Sequence, residues 1–193
     1  MYNENHKNEK WRSEMAIVAG DLLFKLSVVT GSAGNTTGGT PDGSLGKYIS
    51  TTAITDASLN NLFDDVSGAE NAASDVEYRC FFIHNNHGSL TLQGAVVWLS
   101  AEVAGGAVAA IAVDGIAASA IGGAPAQADE VADESTPPSG ESFSSPTSKG
   151  TGLSVGDIAA GFCRAIWVRR SAADTAALDS DGVTIRVEGD TAA

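Results

Sequence analysis

Basic side chains are scarce in this chain. Its 193 residues hold 11 Lys and Arg against 24 Asp and Glu, for a formal net charge of -13. Gripping a nucleic-acid backbone needs clustered Lys and Arg, so that class of partner is not expected. Long apolar runs are lacking too. None reaches the roughly 18 residues that span a bilayer. The segment 101–128 comes nearest, but its side chains are mostly Ala and it carries Glu102 and Asp114. Asp114 would be costly in lipid, so no membrane partner is expected. The opening MYNENHKNEKWR has no apolar h-region behind it and does not read as a secretory signal.

Cysteine is limited to Cys80 and Cys163. Two cysteines make no disulfide framework for a chain of this length, and neither sits in a CxxC pair. Both fall in strand-like text, which reads as two buried thiols, with a bridge across a sandwich core as the alternative. The catalytic signatures are missing as well. There is no GxSxG and no HExxH, and GSLGK at 43–47 lacks the spacing and following Ser/Thr of a P-loop. His84 and His87 stand three apart and could join Asp75 or Glu77 on a metal, but a strand-end and a turn histidine explain them as well. DSDG at 179–182 resembles part of a calcium loop and also an ordinary turn. The sequence therefore predicts no cofactor, no metal and no enzyme activity.

Glycine, at 22 residues, is plentiful where about 7% is usual. It concentrates in turns and in two excursions, near 31–46 and 122–152. Between these lie period-two segments. Leu22 to Val29 alternates as a strand. VEYRCFFIHNN places Val76, Tyr78, Cys80 and Phe82 on one face, with Glu77, Arg79, Phe81 and Ile83 on the other. SLTLQGAVVWLSAE follows a turn-like Asn-Asn-His-Gly cluster and is expected to pair with it, with Gly94 at a bulge. Weaker strands are expected from Tyr48, across 107–116 and over Leu153–Ile158. FCRAIWVRR puts Cys163, Ala165 and Trp167 on one face, and Phe162, Arg164, Ile166 and Val168 on the other. GVTIRVEG turns Val183, Ile185 and Val187 inward. A brief helix is expected through Leu59, Leu62 and Phe63. Seven or eight short strands with no long helix between them predict an all-β antiparallel sandwich, jelly-roll or Ig-like, over 15–193. Residues 1–14 read as a flexible arm.

Two features suggest contact with other molecules. Trp11 is a lone aromatic in the polar arm; it could dock on a neighbouring subunit, or the arm is simply a solvent-exposed tail. Arg164, Arg169, Arg170 and Arg186 fall in the last two strands. If those strands pair, their arginines form an outward ridge that could hold an acidic partner. Ordinary cross-strand pairing, with Glu188 and its neighbours, is the competing explanation.

The stretches GLSVGDIAAGFCRAIWVRRS and GVTIRVEGDTAA resemble structural proteins of tailed bacteriophage virions. So does LGKYISTTAITDASLNNLFDDVSGAE running into VEYRCFFIHNNHGSLTLQGAVVWLS. The resemblance covers most of 45–100 and 150–193. It implies a virion component, assembled in the bacterial host cytoplasm, most plainly a capsid decoration or cement protein. A tail, neck or fibre protein, or a receptor- or carbohydrate-binding module, is the alternative. Its implied partners are other copies of itself, a trimer among the forms allowed, and the major capsid protein or other virion proteins.

Overall fold

A computed structural model describes residues 16–33, 36–122, 125–176, 178 and 181–191. Nine strands form two antiparallel sheets: β1 (Leu22–Val28), β2 (Tyr48–Ala53), β3 (Val76–Asn85), β4 (Leu92–Glu102), β5 (Val108–Val113), β6 (Ser119–Ala120), β7 (Leu153–Ile158), β8 (Phe162–Ser171) and β9 (Val183–Thr191). The larger sheet runs β2-β1-β3-β8-β5, with β6 also on β8. The smaller runs β7-β4-β9. The all-β sandwich expected from the alternation is what the chain adopts. The arm at 1–14, Trp11 with it, lies outside the described residues. No helix among the described residues is long and apolar enough to cross a membrane.

The alternation assigned faces correctly. Phe81, Ile83, Ile166 and Val168 meet Leu92, Val97, Leu99, Val155 and Ile158 between the sheets. Val183, Ile185 and Val187 line the margin of that core. The opposite face of the large sheet is buried as well. There Cys80, Phe82, Cys163, Ala165 and Trp167 lie under Leu45, Ala128, Val131 and Phe143. A sheet covered on both faces needs apolar side chains at nearly every position, which is why β3 and β8 read as almost continuous hydrophobic text. The covering layer comes from the two Gly-rich excursions. They fold back onto their own sheet instead of standing out as loops.

Local pairing was misleading in two places. β3 and β4 do not pair. β3 lies between β1 and β8, while β4 lies between β7 and β9. The connection crosses the sandwich because buried Asn85 ties it down, its Nδ2 donating to Leu90 O at 2.8 Å and Ile158 O at 2.9 Å. β8 and β9 likewise sit in different sheets. The helix expected through Leu59 is absent. Ala57 and Asn60 take positive φ values of 53° and 55°, and Asn61 Nδ2 donates to Thr55 O. Such side-chain bonds to nearby backbone compete with helix formation. The α-helix of this region is instead α1 (Gly68–Ala73), opened by a capping box in which Ser67 and Glu70 each accept the other's backbone N–H. Gly94 sits at a bulge as expected, with φ 54° where the β4 register shifts.

Candidate functional site

The four arginines do not form a ridge. Arg164, Arg169 and Arg170 belong to β8 in the large sheet, and Arg186 belongs to β9 in the small one. The three on β8 are engaged by their own chain. Arg164 donates to the carbonyls of Ile116 and, at 2.7 Å, Asp114. Arg169 lies 5.5 Å from the Phe143 ring centroid, on the outer face of the sheet. Arg170 pairs with Glu77, its cross-strand neighbour, and with Asp64 at 3.2 Å, and it stacks 4.7 Å from Phe63. Cross-strand pairing does hold Arg170, but with Glu77 on β3 and not with Glu188. Glu188 bonds Lys149 at 3.3 Å. Arg186 is exposed and makes no hydrogen bond, ion pair or ring contact among the described residues.

The histidines are not brought together with the carboxylates considered beside them. Asp75 and Glu77 lie at the start of the ten-residue β3, and His84 and His87 lie at its other end. His84 is 5% exposed, and burial pulls its pKa down, with Lys25 adding to the effect. His87 caps its own turn, its Nδ1 accepting from Ser89 N at 3.1 Å and Leu90 N at 3.0 Å. Of DSDG, Asp181 and Gly182 are described, and Asp181 carries the carboxylate. Its Oδ2 accepts from Ala107 N at 2.7 Å and pins the β4–β5 connection. Cys80 and Cys163 are both free and buried. Burial pushes the Cys163 thiol up to about 12, and Gln127 Nε2 donates to its sulfur at 3.3 Å.

The densest polar constellation was not singled out from the sequence. Asp114, Asp129 and Glu141 place carboxylate oxygens within 4.8 Å of one another, and these are the residues that could hold a cation. Asp114 is fully buried just beyond β5. Its Oδ2 accepts from Trp167 Nε1 at 2.8 Å and Asp129 N at 2.9 Å, and its Oδ1 accepts from Ile116 N at 2.8 Å. Glu141 accepts from Gly115 N at 3.1 Å. The arrangement is thus already used as a clasp. It joins β8, the turn after β5 and the second excursion through their own donors. The sequence signal was Asp114 itself, an acid closing a run of small apolar residues.

Burial lifts the Glu141 carboxyl above its ordinary range. The Gly115 N–H opposes that rise, while Asp114 and Asp129 reinforce it. A carboxyl raised in the fold stabilises below its unfolded pKa, and that contribution is lost as pH rises through the folded value. Glu141→Gln, which keeps the acceptor for Gly115, is therefore expected to stabilise the chain at pH 7. The gain should fade as pH falls below the unfolded carboxyl's pKa of about 4.3 and be gone near pH 3, where both versions are uncharged. Urea unfolding at the two pH values, in buffer without divalent cations, checks this. An equal gain at both would show that charge is not the cause.

No family model matches the chain, and neither a curated protein nor a solved structure matches it.

Proposed function

We propose that this chain is a structural component of a tailed-bacteriophage virion, a capsid decoration or cement protein that binds and stabilises the head lattice. The resemblance over 45–100 and 150–193 suggests it. The observation that carries it is the contrast between polar groups turned inward and main chain left open. The β8 arginines and the Asp114 clasp serve the chain's own layers. The small sheet, by contrast, ends on β7 and β9, neither with an outer strand among the described residues. Open strand edges are where one chain joins another. On a repeating lattice, each weak contact of that kind gains a high effective concentration. The acidic surface favours solubility when many copies stand close together.

The carbohydrate-binding alternative needs exposed aromatics on one face. Of the aromatics considered for that role, Trp167 is fully buried, Trp98 is 6% exposed and Tyr48 is half-buried on β2. That weighs toward an assembly role. The partners of this reading are other copies, the major capsid protein and further virion proteins. The test is mass spectrometry and electron microscopy of purified tailed particles from the host that encodes the chain. The expected result is many copies per particle, located on the head. A chain found only in the particle-free fraction would overturn the reading.

A further inference from the structure

Among the described residues, the outer edge of β9 is the longer of the two open edges, nine residues against six for β7. The large sheet is finished differently. Along β5, Ser144 exchanges two main-chain bonds with Ile111 at 2.8 and 3.0 Å, and Ser145 Oγ donates to Ala109 O. Along β2, Thr37 O and the Gln127 side chain accept from Thr51 N and Ile49 N. β9 has no proline and no inward-pointing charge, two of the usual protections of an exposed edge. Its charges all point outward, at Arg186, Glu188 and Asp190, while Val183, Ile185 and Val187 face the core margin.

We propose that β9 pairs antiparallel with β9 of a second copy, about a two-fold axis through Val187. Such an axis stands perpendicular to the sheet and keeps every residue on its own face. It sets Arg186 opposite Glu188 twice and Thr184 opposite Asp190 twice. On the core side Val187 meets its own copy. Ile185 lies opposite Gly189, which has no side chain to obstruct it. Neighbouring registers fail on charge or length. Centring on residue 186 sets Arg186 against itself, 188 sets Glu188 against itself, and 189 sets Glu188 against Asp190. Centres nearer Val183 shorten the pairing within β9. Arg186, exposed and unengaged among the described residues, gains its partner here. Glu188 can keep Lys149 and accept from Arg186 as well, having two oxygens. The product is a continuous six-stranded sheet, β7-β4-β9 joined to its two-fold copy.

Sedimentation equilibrium of the full chain should show a reversible dimer. Arg186→Glu and Glu188→Arg should each weaken it on the order of tenfold or more, since each turns two attractive pairs into like-charge pairs. The double variant R186E/E188R should recover it, because the two-fold restores both pairs with their signs exchanged. Circular dichroism matching the parent establishes that the single variants keep the fold. A chain that stays monomeric at high concentration overturns the proposal. So does an assembly indifferent to the single reversals, or a double variant no better than either single. The pairing stands on the chain's own edge. A monomer that is nonetheless abundant in particles would remove the dimer and leave the virion reading, and a dimer absent from particles would do the reverse.

Discussion

Asp114→Ala is expected to destabilise the chain by roughly 4 kcal/mol, a large share of the 5–15 kcal/mol typical of a folded domain. The truncation strands three donors at once: Trp167 Nε1, Asp129 N and Ile116 N. A buried donor left without an acceptor costs about 1–3 kcal/mol. Trp167 should bear the largest part, being fully buried beneath the second excursion, whereas Asp129 and Ile116 are partly exposed and can turn to water. Trp167→Phe tests the assignment. It removes the indole N–H and leaves a smaller ring, a packing loss common to both Trp167 variants that the cycle cancels. If the Asp114–Trp167 bond accounts for the loss, the double variant will cost clearly less than the sum of the singles in a double-mutant cycle. Urea midpoints of the four proteins supply the numbers. A loss under about 1 kcal/mol for Asp114→Ala would show that water replaces the carboxyl as acceptor. The β9 edge lies in the other sheet, so a folded Asp114→Ala chain should dimerise like the parent.

This clasp also marks the limit of what the sequence made legible. Alternation in VEYRCFFIHNN and FCRAIWVRR assigned the two faces of β3 and β8, because side chains in a strand must alternate whatever lies beside them. Which strands lie beside them is a different matter. β3 and β8 are apolar on both faces, so nothing in their text says which strand each one meets. The Asn85-Asn86 turn looked like a hairpin, yet it carries the chain across the sandwich once Asn85 bonds Leu90 and Ile158. The arginine ridge failed for the same reason, since it required β8 and β9 to be neighbours. α1 carries a signal in Ser67 and Glu70, three apart, that the reading built on Leu59, Leu62 and Phe63 did not use. Asp114 closes an Ala-rich strand segment, while Asp129 and Glu141 lie apart from each other within the second excursion. Only the folding of the second excursion onto the sheet brings them together.

Gly46→Ala is the second substitution with a large expected effect, on the order of 3 kcal/mol or more, and it tests how that excursion is seated. Gly46 has φ +92°, where a β-carbon is strained, and one built there would stand 1.9 Å from Asp129 O and 2.9 Å from Trp167 Cζ2. Neither neighbour can step aside cheaply. Asp129 O already accepts from Lys47 N at 3.0 Å, Asp129 N is held by Asp114, and Trp167 is fixed by the same carboxyl. Gly46 N in turn donates to buried Ser27 Oγ at 2.9 Å, so its own backbone is also held. Gly94→Ala is the control. Its φ is also positive, +54°, but no atom lies within 4 Å of the added carbon, so only backbone strain of about 1–2 kcal/mol is expected. If the first excursion locks the second against the large sheet, Gly46→Ala will also expose residues 125–147 to limited proteolysis under conditions where Gly94→Ala stays intact. Equal losses from the two substitutions, with the excursion protected in both, would mean that contact with Asp129 and Trp167 is not what makes glycine necessary at position 46.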